Sequence, residues 1–283
     1  MKSDTIAVCA IAKNEGPYLL EWIAHSKVIG FEKIIIYDNE STDHGPAMLK
    51  ALAAAGEIDL NIWVWPKDAE TGPQVPCYTA AVEKYRDEIE WIGFIDIDEF
   101  LVLKNHDNVR HFVEDYSEAN GIAIHWKLFG SDGHKKRNDD KLVSERFTRC
   151  EDVARNPLFG RSAKSICRID KIVRVKPHFC ILSEGLYFNE KKRAIQPKRQ
   201  PFGTHEIAQI NHYFTKSYEE WLIKAERGRP SRSLSAEDKF RAIEEFRKFD
   251  RSHVVDTSIE KYREATKAEM ARLKAVIDAV PAA

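Results

Sequence analysis

In the run Trp91-Ile92-Gly93-Phe94-Ile95-Asp96-Ile97-Asp98-Glu99-Phe100, an apolar stretch ends in two carboxylates spaced two apart. Alternate side chains of a strand share a face, so this spacing predicts both acids on one side of a sheet. In open α/β sheets, ligands bind outside the carboxyl ends of the strands. Paired oxygen ligands there suit Mg²⁺ or Mn²⁺, with positions left open for a substrate's phosphates. Asp-x-Asp also occurs by chance as a solvated strand end. Its weight therefore depends on the elements around it.

Those elements alternate. Thr5–Ala12 is a continuous apolar run of the kind found in buried parallel strands. Asn14 is placed to cap a following helix, and Pro17 falls in its first turn, where a missing N–H costs nothing. Tyr18, Leu19, Trp22, Ile23 and Ile29 recur at helical spacing before Gly30. Lys33–Tyr37 is a second strand that stops at Asp38-Asn39. Ser41, Thr42 and Asp43 form a cap-rich turn before a helix to about Gly56. Ile58–Trp65 is a third strand, Pro66–Pro76 an irregular loop, and Cys77–Ile89 a helix leading to the strand that ends at Asp96. This β-α-β-α-β-α-β order predicts an α/β fold with a doubly wound, mainly parallel sheet and polar clusters at one edge.

Farther on, Asn108–Glu118 is an expected helix and Gly121–Phe129 a strand holding His125 and Trp126. Gly130–Lys141 is a polar loop. Val143–Asn211 shows only short strand-like runs, among them Ile172–Val175 and Phe179–Leu182. Helices are expected over Ala236–Phe249 and Ser258–Val280. In the latter, Ile259, Tyr262, Met270, Leu273 and Ile277 form one apolar stripe, suited to packing on the domain or on a second copy as a homodimer. Residues 1–230 then form one domain and 231–283 a helical extension.

The 283 residues are 43% hydrophobic, enough for a sizeable core. With 44 basic and 45 acidic residues there is no basic field to bind nucleic acid or an anionic membrane. Cys9, Cys77, Cys150, Cys167 and Cys180 are odd in number and widely spaced, which fits reduced thiols better than a disulfide framework or a zinc site. No basic-then-apolar leader and no membrane-length apolar stretch stands out, so a cytoplasmic protein is expected.

Four ordered blocks carry a resemblance. They are Lys13-Asn14-Glu15 with Glu21-Trp22-Ile23-Ala24-His25; Asp38 to Asp43; Asp96 to Phe100; and Asn211-His212-Tyr213-Phe214-Thr215-Lys216-Ser217, continuing to Lys224 and Arg227-Gly228. Together they resemble metal-dependent, family-2-like glycosyltransferases of the GT-A fold, and within them the "domain of unknown function 23", or family-92-like, branch. The resemblance spans residues 5 to about 230. It implies transfer of a sugar from a nucleotide-sugar donor, a UDP-sugar first, to a hydroxyl of a carbohydrate or other acceptor, with inversion. It further implies that Asp98 and Asp96, with His212, hold the metal, Asp96 reaching the ribose as an alternative. Imidazole favours Mn²⁺ over Mg²⁺. Asp38 is expected to meet the base, Asn14 and Glu15 the nucleoside, and Lys216, Lys224 and Arg227 the diphosphate. Ser41 and Asp43 read first as helix caps.

An inverting transfer needs a general base. Asp132, in Phe129-Gly130-Ser131-Asp132-Gly133-His134, is the first choice, with Glu145, Glu151 and Asp152 as rivals. His125 and Trp126 are candidates to line the acceptor pocket, and Glu99 either orients the metal site or begins a helix. Two other functions stay open. A sugar-phosphate nucleotidyltransferase would carry a Gly-rich basic loop where this chain has Lys13-Asn14-Glu15-Gly16. A non-catalytic nucleotide- or carbohydrate-binding protein would have no need of the acidic pair.

Overall fold

A computed structural model describes residues 4–66, 69–155, 160–196, 203–227 and 236–280. Strand β1 (Ile6–Ala12), helix α1 (Gly16–Val28), β2 (Lys33–Asp38), α2 (Gly45–Ala54), β3 (Asp59–Ile62), α3 (Gln74–Tyr85) and β4 (Trp91–Phe94) realise the expected alternation. Then come β5 (Glu99–Leu103), α4 (Val109–Glu114), β6 (Ala119–Leu128), α5 (Val143–Arg146), β7 (Arg149–Cys150) and β8 (Ala163–Arg168). The chain continues through β9 (Ile172–Val175), β10 (Cys180–Leu182), β11 (Leu186–Asn189), β12 (Ala208–His212) and α6 (Tyr218–Arg227). It closes with α7 (Ala236–Phe249), β13 (Val254–Val255) and α8 (Arg263–Ala279).

Among the described residues, nine strands form one sheet in the order β3-β2-β1-β4-β8-β6-β12-β5, with β11 added alongside β6. Pairing is parallel through β3, β2, β1 and β4, and again between β6 and both β11 and β12. Strand β8 is antiparallel to both β4 and β6, and β12 to β5. This is the mainly parallel α/β architecture with C-terminal helices expected of a GT-A fold.

Both faces of the central strands are covered, which is why they read as unbroken apolar runs rather than alternating ones. Val8 and Ala10 of β1 join Trp22, Ile23, Leu49 and Leu52 in one core, while Ala7 and Cys9 join Cys77, Tyr78, Ala81 and Tyr85 in the other. Full burial of an Ile or Leu such as Ile23 or Leu52 contributes on the order of 2 kcal/mol. The C-terminal stripe belongs to the first core. Leu273 is fully buried there, beside buried Ile259 and Tyr262 and half-buried Met270 and Ile277, as α8 packs on α1 and α2. That apolar face is used within the chain.

Several expectations change. Residues Ser258–Tyr262 form a 3-10 turn, so the last α-helix begins only at Arg263. Helix α4 ends at Glu114, its N-terminus capped by Asn108, whose Oδ1 accepts from His111 N at 2.9 Å. Strands β5 and β8 lacked a distinct signal: β5 follows directly on the acidic motif, and β8 mixes Lys164, Ser165 and Arg168 with its apolar residues. The five cysteines are buried and free.

Candidate active site

The carboxyl ends of β1 and β2 are stitched together by their loops. Asn14 adopts a left-handed φ of 52° and clamps the next loop rather than capping α1. Its N–H donates to Ser41 Oγ at 2.9 Å, and its Oδ1 accepts from Thr42 N at 2.7 Å. The capping role falls to Asp43, which accepts from Gly16 N at 2.8 Å and Gly45 N at 2.9 Å, the first residues of α1 and α2. A Cβ on Gly16 would lie 2.9 Å from that same Asp43 carboxylate, so the close approach requires glycine. Glu15 stands at the N-terminal boundary of α1. Asp38 is buried at the end of β2, its Oδ1 accepting from Ser41 N at 3.2 Å.

The two acids of the Asp-x-Asp motif do not share a strand face. Strand β4 stops at Phe94, and residues 95–98 turn into β5, so side-chain alternation does not set their directions. Their environments differ accordingly. Asp96 sits in a cage: Gln74 Nε2 at 2.7 Å and Tyr78 OH at 3.0 Å donate to Oδ1, and Lys164 Nζ at 2.8 Å donates to Oδ2. Lys164 is 2% exposed. Burial opposes its charge, but Asp96 and Glu99 outweigh that and raise its pKa. Glu99 is fully buried; its Oε2 accepts from Asp96 N at 3.0 Å and lies 3.4 Å from Lys164. Burial raises its pKa. Glu99 begins β5 rather than a helix, and it orients the acidic turn through this backbone contact.

Asp98 faces the late block. In the β12–β5 pairing His212 is opposite Glu99, which brings His212 Nε2 to 3.7 Å from Asp98 Oδ1. That gap is too long for a hydrogen bond. Lys224 Nζ reaches Asp98 Oδ2 at 2.7 Å from α6. Burial resists ionisation of Asp98, yet Lys224, His212 and Lys216 hold its carboxyl well below the usual range. Burial lowers His212 to about 4, so its imidazole is neutral at ordinary pH, and its Nδ1 is buried with no partner among the described residues. Lys216 is 3% exposed, left-handed at φ 53°, and lies over the Tyr18 ring at 4.3 Å. Burial lowers its pKa. An ammonium held in that state gains from an incoming anion.

Helix α6 is set by a capping box. Ser217 Oγ accepts from Glu220 N at 3.3 Å, and Glu220 Oε2 accepts from Ser217 N at 3.0 Å. The Glu220 carboxylate also binds Arg146 through two hydrogen bonds of 2.8 and 3.0 Å, and Tyr18 OH at 2.9 Å. Lys216 therefore precedes a helix end tied to both α1 and α5.

The structure thus brings Asp96, Asp98, His212, Lys216 and Lys224 together at the rim where Asn14, Glu15 and Asp38 end β1 and β2. The Arg227 side chain lies outside the described residues. Asp132 is not in the group: its carboxylate accepts from Thr148 N at 2.8 Å, Thr148 Oγ1 at 3.0 Å and Arg149 N at 3.0 Å. Its rivals also hold local structure. Glu145 binds Lys267, Glu151 accepts from Leu128 N, and Asp152 from Ala154 N. His125 is fully buried, 3.0 Å from Glu190 Oε2, and Trp126 is buried against His212 with ring centroids 4.4 Å apart. Sequence reading did not single out Lys164, Gln74, Tyr78 or Arg146. A lone lysine among the apolar residues of β8 is the one signal that marks Lys164.

Comparison with known proteins adds a family. Residues 5–270 match glycosyltransferase family 92, and the chain belongs to that family. A family 92 protein of Oryza sativa subsp. japonica is 31% identical over 197 residues, covering 66% of this chain and 31% of the rice protein. One of Ricinus communis is 32% identical over 139 residues, covering 47% of this chain and 24% of its own length. The chain thus spans less than a third of these relatives. Among solved structures, TarS 1–349 of S. aureus matches over 96% of this chain and 83% of its own, at 14% identity and a TM-score of 0.38. Glucosyl-3-phosphoglycerate synthase of Mycobacterium tuberculosis, in complex with Mn²⁺ and UDP, matches over 60% and 58% at 16% identity and a TM-score of 0.34. No helix among the described residues is long and apolar enough to cross a membrane.

Proposed function

We propose that this chain is a metal-dependent, inverting glycosyltransferase that moves a sugar from a UDP-sugar to an acceptor hydroxyl. The observation that carries it is the convergence of Asp98, His212, Lys216 and Lys224 at the carboxyl rim of a parallel sheet. Family 92 membership supports the reaction class.

The donor set fits a cation shared with substrate. The described residues hold no cluster of three or more His, Cys, Asp or Glu suited to a metal. A two-ligand site completed by phosphates is the usual arrangement for such ions on nucleotides. Asp98 Oδ1 and the neutral His212 Nε2, 3.7 Å apart, are the donors that suit it, and imidazole favours Mn²⁺ over Mg²⁺. Asp96, with both oxygens engaged by Gln74, Tyr78 and Lys164, is the weaker ligand and the better partner for a ribose hydroxyl. When bound, the cation supplies Lewis-acid stabilisation of the departing diphosphate.

The remaining work falls to the chain. Lys216 and Lys224 offset negative charge as the glycosidic bond breaks. Asp38 accepts from the base, while Asn14 and Glu15 shape the nucleoside loop. Asp98→Asn tests the reading: Mn²⁺ binding and UDP-sugar hydrolysis fall at least about a hundredfold while the melting curve keeps its shape. The assay is nucleotide release from a panel of UDP- and GDP-sugars with Mn²⁺, Mg²⁺ or chelator. Full turnover by the variant, or in excess chelator, refutes it.

A further inference from the structure

Sugar transfer requires a group that takes the acceptor's proton, and the Asp132 carboxylate is already engaged by Thr148 and Arg149. A different side chain stands open beside the site. Strands β9 and β10 form a hairpin whose turn is closed by Lys176 N donating to Phe179 O at 2.9 Å. Two residues of β8 anchor that turn to the acidic rim. Lys164 Nζ donates to Pro177 O at 3.3 Å, and Ser165 Oγ to His178 O at 3.2 Å. The same Lys164 holds Asp96.

This anchoring leaves the His178 side chain exposed, with its ring edge-on to Trp126 at 4.9 Å between centroids and 76° between planes. Trp126 in turn lies 4.4 Å from His212, whose Nε2 is 3.7 Å from Asp98. His178 therefore ends a row of three rings that begins at the proposed metal carboxylate. Among the described residues, its ring nitrogens take no hydrogen bond. The charged groups that act on it are Lys164 on β8 and Asp96 in the turn after β4. Partial desolvation where the ring meets Trp126, together with the Lys164 charge, lowers its pKa from the ordinary histidine value, so the imidazole is free to accept a proton at neutral pH.

We propose that His178 is the general base of the transfer, an inference that rests on the glycosyltransferase reading above. The neutral imidazole takes the proton of the attacking hydroxyl as its oxygen bonds to the anomeric carbon. The bond from that carbon to the donor's phosphate oxygen breaks, and its electron pair leaves with the nucleoside diphosphate. The protonated ring then returns its proton to solvent, to which it is open.

The test uses the full chain, with water as acceptor and the UDP-sugar that the wild type hydrolyses fastest. His178→Ala should lower kcat by about 10²–10⁴, the usual share of general-base catalysis. Calorimetric UDP affinity should stay within about twofold, because only the chemical step is affected. Added imidazole should restore the His178→Ala rate at least about tenfold, a rescue that a merely structural histidine would not give. His178→Gln, which keeps polar bulk at the turn, should be as slow. A kcat within about threefold of wild type overturns the inference, as does a loss matched by equally weakened UDP binding or unrelieved by imidazole. Wild-type protein that binds no UDP overturns the glycosyltransferase reading and this inference with it. Wild type and His178→Ala that bind and hydrolyse alike overturn only this inference.

Discussion

Replacing Arg146 with Met removes the cation that the fold has placed against the buried Glu220 carboxylate. The Arg146 and Glu220 side chains are 4% and 1% exposed. Burial opposes ionisation of Glu220, yet Arg146 and Ser217 hold its carboxyl below the ordinary range. Without the guanidinium, burial dominates, and the least costly response is to protonate Glu220. Holding a carboxyl of ordinary value 4.5 protonated at pH 7 costs about 3.4 kcal/mol, and at pH 5 about 0.7. Protonation therefore caps the electrostatic penalty. Arg146→Met should lose about 3 kcal/mol at pH 7, within the range for a buried pair broken on one side. The sign follows from linkage. In the variant the folded pKa lies above the unfolded one, so the protonated carboxyl's contribution is fully present at low pH and disappears as pH rises. Urea unfolding read by tryptophan fluorescence at both pH values measures the difference. UDP should also bind more weakly, since Glu220 caps the helix that begins beside Lys216. A penalty below about 1 kcal/mol, or an equal one at both pH values, refutes the reasoning. Adding Glu220→Gln to Arg146→Met should recover much of the loss, because the uncompensated carboxylate is gone.

Two further outcomes follow from the same geometry. Asp132→Ala unpairs the Thr148 and Arg149 backbone N–H groups, and should cost about 2 kcal/mol while UDP-sugar hydrolysis per folded molecule stays within about threefold; a hundredfold loss from an intact fold would restore Asp132 as the base. Burial lowers His25 and His205 to about 4, so the folded state keeps them neutral. Their contribution is present above the unfolded value of 6.5 and lost as pH falls through 4, on the order of 3 kcal/mol each. Melting temperature measured from pH 7 down to 4 should drop steeply, and a flat profile contradicts this.

Much of the frame was legible in the chain itself. Apolar runs at Thr5–Ala12 and Lys33–Tyr37 mark strands buried on both faces, because water-facing positions are absent from them. The Ser217-x-x-Glu220 capping box that starts α6 is also a local pattern, although the sequence reading did not single it out. The polar residues after strands one, two and four lie at the rim because every parallel strand in such a sheet ends on the same side. These signals act over a few residues, where periodicity and caps are local properties.

The pairing of charges was decided elsewhere. Asp96 and Asp98 look equivalent in sequence, yet one is caged by Lys164 and the other faces His212 and Lys224. Lys164 reaches Asp96 only because β8 inserts antiparallel between β4 and β6. His212 reaches Asp98 only through the register that sets it opposite Glu99. Arg146 meets Glu220 across 74 residues, and Lys164 meets Asp96 across 68. The sequence alone determined which residues could stand at the rim of the sheet. Strand order and register decided that Asp96 is paired with Lys164 and Asp98 with Lys224 beside His212, because an ion pair is chosen by distance in space.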